Sequence, residues 1–473
     1  MFYKLRSDYV LRGWKGRAWE LVQRPANTVR HLSQSEFQML MLCDGETDIK
    51  EEMLSDPMQK ALRQYEEMGA VEACECAQPI DSDQTYRYFD NRAVEKIMWS
   101  VTGKCNFCCR HCYMDAPEGA LGEISTEEAL DLIDQMAGCG VLRVDITGGE
   151  PFVRKDFWLL IDRLLSHKIA IGTIYTNGWL INEALLDAFE RRKIKPDISV
   201  SFDGVGWHDW MRGVSGAEEV TLRALRLCEE RGFHTDVEMC IHRGSQNMLF
   251  QTIETLRSAG VKQMKVGNIA MTDLWRRHSE GYEWTVREYM EQMIRCIPQY
   301  YEAGCPVETL ILSGVIALYS DRPYRTIPDV YDDTEKEADR YLCGHARWHC
   351  YITPEGRLLP CMPLTAVPEQ KLFPKVRDIG LKKGLNDSFY MQFVSERVRD
   401  LLNVNEECAS CRYRYPCGGG CRANALMEEC HNLMGCDRTA CMLWKEGYVE
   451  RIRRTAEAAY AEHKRKEGSK NVC

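Results

Sequence analysis

The chain has no apolar run long enough to cross a bilayer. Its start, MFYKLRSDYVLRGWKGR, carries no signal-peptide hydrophobic core. Membrane insertion and export are therefore not expected, and the expectation is a cytoplasmic protein. Thiols stay reduced there, so a disulfide framework is not expected either. A positive excess is also missing: 61 Lys and Arg against 71 Asp and Glu give a net charge of -10. Bulk nucleic-acid binding needs a basic face and is excluded, leaving room only for a local basic groove. The tail His463-Lys464-Arg465-Lys466 reads as a solvated helix end. At 473 residues, 45% hydrophobic, the chain has the composition of a soluble globular protein of about three domains.

What the chain has is cysteine, 23 in all, and eleven of them fall into two ordered constellations. The first is Cys105-x3-Cys109-x2-Cys112. At this cysteine frequency the spacing would arise by chance about 0.06 times. Three thiolates on one tight loop can hold three corners of a four-iron cluster, leaving one iron open to a further ligand. Zinc is the alternative, with Cys105/Cys108 and Cys109/Cys112 as two pairs, but no loop separates them to close a tetrahedral site. The second constellation is Cys343-x6-Cys350-x10-Cys361, then Cys408-x2-Cys411-x5-Cys417-x3-Cys421 and a later Cys441.

Three polar motifs follow apolar strand-like runs. Thr147-Gly148-Gly149-Glu150-Pro151 follows 142–146, Thr176-Asn177-Gly178 follows 170–175, and Ser201-Phe202-Asp203-Gly204 follows 197–200. With the first three cysteines, and in this order, they resemble the radical S-adenosylmethionine (SAM) superfamily over roughly residues 93 to 315. The pattern from Cys343 through Gly356 and Cys361 to Cys408-x2-Cys411-x5-Cys417-x3-Cys421 and a final Cys resembles the SPASM extension of that superfamily, over about 343 to 445. The phrase from Leu32-Ser33 to Leu42-Cys43-Asp44-Gly45 resembles the PqqD-like recognition element of ribosomal peptide maturation systems.

The expected fold is α/β. Residues 1–75 would form a winged-helix-like domain of two or three strands and three small helices. Segments 7–13 and 18–24 are strands around Trp14-Lys15-Gly16. A helix capped by Ser33 and Glu36 ends near Gly45, an acidic helix covers 48–55, and another covers 57–68. Peptide binding, a structural role and DNA binding are the readings of this domain, and the acidic helix makes DNA a poor partner. Residues 76–92 read as a polar linker. From 93 to 315 strand and helix alternate, beginning with a helix capped by Ser125 and Glu128, in six or more βα units. The resemblance implies a partial (β/α)6 radical SAM barrel. Ligands of such folds sit at the carboxyl ends of the strands, where all three motifs lie. Residues 316–342 read as a connector, 343–445 as a Cys-rich SPASM domain with a hairpin turning at Glu355-Gly356, and 446–473 as a closing helix.

The resemblance implies three [4Fe–4S] clusters and SAM. Cys105, Cys109 and Cys112 would hold the first cluster, whose open iron takes SAM and whose electron yields methionine and a 5′-deoxyadenosyl radical. Auxiliary cluster I would take Cys343, Cys350, Cys361 and Cys421, and cluster II Cys408, Cys411, Cys417 and Cys441. Cys436 competes for the last place. Without Cys350, cluster I would be open and able to bind a substrate thiolate. Gly148, Gly149 and Glu150 would meet the methionine ammonium, Glu150 being otherwise a solvated loop acid. Thr176, Asn177, Ser201 and Asp203 would reach the ribose or methionine end. Arg212 would grip the methionine carboxylate, or form a structural salt bridge with Asp203. Tyr113 would pack near adenine or belong to the core. Cys108 is a bystander. Cys43, Cys74, Cys76, Cys139, Cys228, Cys240, Cys296, Cys305, Cys430 and Cys473 are buried small hydrophobes or hydrogen-atom donors.

The implied activity is post-translational modification of a ribosomal precursor peptide, its leader bound by residues 1–75. A thioether cross-link is the leading product; carbon–carbon cross-linking, epimerisation and a sulfatase-maturase-like oxidation are the alternatives. Electrons would come from a low-potential donor such as flavodoxin or ferredoxin. The rival of another class is a non-catalytic iron–sulfur or zinc protein that binds peptide or senses redox state.

Overall fold

The computed structural model describes residues 1–114, 121–327, 329–427 and 432–470. Cys430 and Cys473 lie outside the described residues. The chain opens with β1 (Phe2–Leu5), β2 (Tyr9–Lys15), β3 (Arg17–Gln23) and β4 (Thr28–His31). β2 and β3 form the expected hairpin, turning at Gly16 with φ +83°. The Ser33 capping box is present: its hydroxyl accepts from Glu36 N at 3.3 Å and Glu36 accepts from Ser33 N at 2.7 Å. It starts the helix Gln34–Leu42. Next come β5 (Asp44–Asp48), the helix Asp56–Glu67 and β6 (Val71–Cys74). Where an acidic helix was expected over 48–55 there is only a 3-10 turn at Glu51–Met53. Three small helices are thus two, and the region is richer in strand than expected.

The linker reading of 76–92 is corrected. β7 (Arg87–Arg92) runs parallel to β2 and completes the four-stranded sheet β4-β3-β2-β7 beside the three-stranded β5-β1-β6. Gln84 is buried and its amide donates to the carbonyls of Leu5, Arg6 and Tyr9 at 3.1, 2.8 and 3.2 Å. A polar segment becomes structured because backbone groups of β1 and β2 need those donors. An apolar seam of Val10, Trp14, Val22 and Phe89 joins Leu142 of the next domain. Trp14 Nε1 donates to Cys139 O at 3.0 Å, and Asn27 Nδ2 to Leu142 O and Lys168 O at 2.6 and 2.9 Å.

The alternation from residue 93 builds one large sheet. β8 (Lys96–Ser100), β9 (Arg143–Thr147), β10 (Ala170–Thr176), β11 (Asp197–Ser201), β12 (Thr235–Ile241), β13 (Gln263–Asn268) and β14 (Thr309–Leu312) lie side by side, all parallel. Their connections carry the helices Thr126–Gly138, Phe157–Ser166, Glu183–Arg191, Ala217–Glu230, Leu249–Ser258 and Val286–Glu302, giving six βα units. Right-handed crossovers between strands in sequential order put every one of these helices on one face. β12 shows the result: Val237, Met239 and Ile241 are buried under helices, while Asp236, Glu238 and Cys240 look the other way and stay partly exposed. Phe157, Leu160, Ile161 and Leu164 stripe one helix at the 3.6-residue period. Each is worth about 1.5–3 kcal/mol on burial.

The connector reading of 316–342 also needs correction. Its first part is β15 (Ile316–Tyr319) and β16 (Arg325–Thr326), which add antiparallel to β14. At the other edge β17 (His349–Ile352) pairs parallel with β8 and antiparallel with β18 (Leu358–Leu359), through the expected hairpin at Gly356. Among the described residues the sheet has eleven strands and stays open between β16 and β18. Gly418, Gly419 and Gly420 all take positive φ (61°, 87° and 72°), a run no other residue type sustains. The closing helix Tyr448–Lys470 packs on Val286–Glu302 through Arg451 and Tyr448, which both bond Glu291. Among the described residues no helix is long and apolar enough to cross a membrane, and no disulfide forms.

Candidate active site

Cys105, Cys109 and Cys112 sit on the loop leaving β8, at the carboxyl end of the parallel sheet. The loop is held from below by the Gly148-Gly149-Glu150 turn after β9. Gly149 N donates to Thr102 O and Glu150 N to Lys104 O, each at 2.9 Å. The glycines are needed for this approach: a Cβ on Gly148 would lie 2.7 Å from Thr102 O, and one on Gly149 would lie 3.0 Å from the Cβ of Cys105. Gly149→Ala is therefore expected to displace the loop and lower iron occupancy of the first cluster, read as fewer irons per chain after anaerobic reconstitution. Full occupancy would show that the loop accommodates the methyl group.

Glu150 is fully buried and its carboxylate is already engaged. It accepts from Thr176 Oγ1 at 2.9 and 3.0 Å, Asn177 N at 2.8 Å and Phe152 N at 3.2 Å. Burial lifts its carboxyl to about 7, with the donated bonds opposing. It is therefore not the solvated loop acid of the alternative reading; it joins the turn after β9 to the end of β10. Asn177 in turn donates to Asn106 Oδ1 at 2.8 Å and lies 4.0 Å from Cys105 Sγ.

Asp203 and Arg212 form a buried ion pair at 2.6 Å. Burial opposes ionisation of Asp203, but Arg212 and nearby histidines hold its carboxyl below the ordinary value. Arg212 Nη1 also lies 3.7 Å from Cys109 Sγ. The structure thus brings the salt-bridge reading of this pair together with a contact to the cluster loop. His208, which sequence reasoning missed, carries the connection further. Its Nδ1 accepts from Asp203 N at 3.0 Å, and its Nε2 is 3.3 Å from Thr221 Oγ1, which bonds Asn177 O at 3.3 Å. His111, Asp203 and Cys240 offer ligand atoms within 4.8 Å of one another. The Arg212 cation already on Asp203 disfavours a metal ion there. Ser201 ends β11 opposite Glu238 of β12. Tyr113 donates to Met362 Sδ at 2.7 Å, and Ser100 pairs with Tyr351 Oη at 2.6 Å.

The later cysteines gather unevenly. Cys343, Cys361 and Cys421 lie close enough for their thiols to interact, burial and mutual repulsion both raising Cys361. Cys350 does not join them. It sits on β17 opposite Ile97, buried in the main core, and its neighbours are Arg92 and Cys139. A strand residue cannot face the core and the loop side at once. Arg92 neighbours both Cys350 and Cys343, while the thiols that interact with Cys361 are those of Cys343 and Cys421. A second recess is lined by Cys408, Cys411, Cys417, Cys436 and Cys441 together. Cys408 and Cys436 thiols are 3.7 Å apart. Both rivals for the last place therefore reach the site.

Two buried cations lie beside the first auxiliary set. Arg92 and Arg422 are 6% and 3% exposed, and among the described residues the Nε of each has no partner. Among the described residues neither forms an ion pair, yet both face Cys343. Unpaired buried cations are costly unless an anion meets them, and an iron–sulfur cluster with thiolate ligands is such an anion. The donor set and the charge around it suit the group.

Residues 99–256 match the model of the radical SAM superfamily. This stretch is a radical SAM domain. The chain is a radical SAM enzyme, and the domain implies SAM and a [4Fe–4S] cluster. The chain is 28% identical over 333 residues to the PqqA peptide cyclase of Granulibacter bethesdensis, covering 70% of this chain and 83% of that one. It is 26% identical over 333 residues to the mycofactocin maturase MftC of Mycobacterium tuberculosis, covering 69% and 78%. In structure it is similar to Streptococcus suis SuiB bound to its precursor peptide SuiA, with TM-score 0.63, 14% identity, and coverage of 93% of this chain and all of that one. The radical SAM domain accounts for the three strand-end motifs; the similarity to SuiB extends beyond it.

Proposed function

We propose that this radical SAM enzyme modifies a ribosomally made precursor peptide, forming a thioether between a cysteine sulfur and a peptide carbon, and that it uses three [4Fe–4S] clusters. One observation carries the reading. Tyr113, next to Cys112, touches Met362, next to Cys361, so the first site and the auxiliary region share a wall. A substrate radical made beside Tyr113 lies next to a place that can take its electron. When bound, the first cluster and SAM supply a 5′-deoxyadenosyl radical that removes a hydrogen atom from the substrate.

The chain's residues do the rest. The helix-free face beside the cluster loop carries Glu238 and Lys265, paired at 2.7 Å, with Tyr113, Tyr175 and Tyr351 nearby. Such a mixed polar and aromatic wall suits a peptide, whose backbone needs hydrogen-bond partners at every residue. The balance of a thioether is one C–H and one S–H lost and one C–S gained: a hydrogen atom goes to deoxyadenosine, a proton to solvent or a base, and one electron to the auxiliary region. Cys343, Cys361 and Cys421 leave a corner of cluster I without Cys350, which supports a substrate thiolate at that corner. Cluster II would use Cys408, Cys411, Cys417 and either Cys436 or Cys441. Low-potential electrons would come from a flavodoxin or ferredoxin in the cytoplasm.

Residues 1–75 are assigned the leader, as a PqqD-like element, through strand addition at the open edge of β4. Deleting them would open the seam at Trp14, Phe89 and Leu142, so the test keeps the chain whole. A photoreactive group on the precursor's leader is expected to label residues 1–75, and the product to carry two hydrogens fewer than the precursor. Labelling confined to residues beyond 93 would overturn the leader assignment; a product of unchanged mass would overturn the cross-link.

A further inference from the structure

Arg422 follows Cys421 directly and is 3% exposed. Its guanidinium bonds three carbonyls: Leu433 O at 3.0 Å, Gly435 O at 2.9 Å, and Gly419 O. Gly419 lies between Cys417 and Cys421, which line the two different auxiliary sites. Gly435 precedes Cys436, whose thiol is 3.7 Å from that of Cys408. The cation therefore sits where the two sites meet. Among the described residues its Nε has no partner. Asp437 lies near it but forms no ion pair with it, and accepts from Cys421 N at 2.7 Å and Ala440 N at 3.0 Å.

We infer that Arg422 is a fixed positive charge shared by both auxiliary clusters, stabilising the reduced form of each and so raising both reduction potentials. A reduced cluster carries one more negative charge than an oxidised one, and in a buried site a nearby cation favours the more negative form. The shared cation makes the auxiliary pair a better acceptor of the substrate's electron. Arg422 is thus a positioning residue for charge and touches no reacting atom. This rests on the assignment of two auxiliary clusters made above.

The experiment is an anaerobic redox titration of the reconstituted full chain, followed by electron paramagnetic resonance, with iron counted in the same samples. In Arg422→Gln both auxiliary potentials are expected to fall, while the first cluster, held by Cys105, Cys109 and Cys112, keeps its own. In Arg422→Lys, which keeps the charge but cannot span three carbonyls, both potentials are expected to stay near the parent's. A Gln variant with full iron and unmoved potentials, or with only one moved, would overturn the inference. If the Gln variant loses iron, the Lys variant decides: retained iron with parent-like potentials upholds a role for charge, and equal loss of iron shows Arg422 to be a structural staple. A parent chain holding only one auxiliary cluster would instead break the underlying assignment, which the iron count reveals before any variant is made.

Discussion

Replacing Cys105, Cys109 and Cys112 together by alanine is expected to abolish SAM cleavage and to leave about eight of about twelve irons per chain, three four-iron sets being reduced to two. The loop itself should survive. Its backbone is fixed by Thr102 O and Lys104 O accepting from Gly149 and Glu150, and by Arg110 Nε donating to Trp210 O at 2.9 Å. None of these bonds uses a thiol. Cys105 has its thiol pushed up to about 12 by burial, so without metal it is neutral and contributes no charge to the loop's stability. Metal binding requires the thiolates, and iron is what deprotonates them. The measurement is iron per chain and 5′-deoxyadenosine release under reducing, oxygen-free conditions. Residual deoxyadenosine, or tightly bound zinc with little iron in the parent, would remove the first-cluster assignment.

Cys361→Ala is expected to stop peptide modification while deoxyadenosine formation continues, and to do so more completely than Cys417→Ala. Cys361 belongs to a set of three gathered thiols, because Cys350 is committed to the core. Losing one of three leaves too few ligands for a cluster, and the local fold loosens with it. Cys417 shares its recess with Cys408, Cys411, Cys436 and Cys441, so four thiols remain after its loss and some cluster is retained. Cys350→Ala is the control and should keep all irons, at a packing cost only. Deoxyadenosine and the change in peptide mass are quantified in the same reaction. A Cys361→Ala enzyme that lacks the cluster by iron count yet forms product at the parental rate would show that the auxiliary cluster is structural and that the electron leaves by another route.

Much of this architecture was legible because local signals agreed with the global fold. Ser125 with Glu128 announced the first helix of the large domain, and both halves of its capping box are present, at 3.0 and 3.2 Å. The alternation of strand and helix from residue 93 stood out because each strand of the sheet has one face under helices, as β12 shows. What escaped was non-local. β7, sequence RYFDNR, has no apolar alternation of its own and is a strand only because β2, over seventy residues away, offers a free edge. β17 returns to pair with β8 across about 250 residues, and that pairing alone turns Cys350 away from the other cysteines. Spacing located the cysteines but said nothing of which way a strand faces. Glu150 was read as a ligand from its motif, and only the fold brings three donors onto it, Thr176 Oγ1, Asn177 N and Phe152 N. Arg422 and His208 had no signal at all, since a buried polar residue inside a polar motif resembles its exposed neighbours.

The seam in which Trp14, Phe89 and Leu142 pack together fixes the first domain against the second. With only the three residues 93–95 between the end of β7 and the start of β8, no hinge separates the two. A leader docked on residues 1–75 would then be moored at a set distance from the radical, and all the slack would belong to the peptide. The number of residues between leader and target acts as a tether, and the local concentration of each target side chain follows from that length. Choice of the modified residue becomes a matter of arithmetic along the substrate: shortening or lengthening the spacer walks the bond to a neighbouring position without any change in the enzyme.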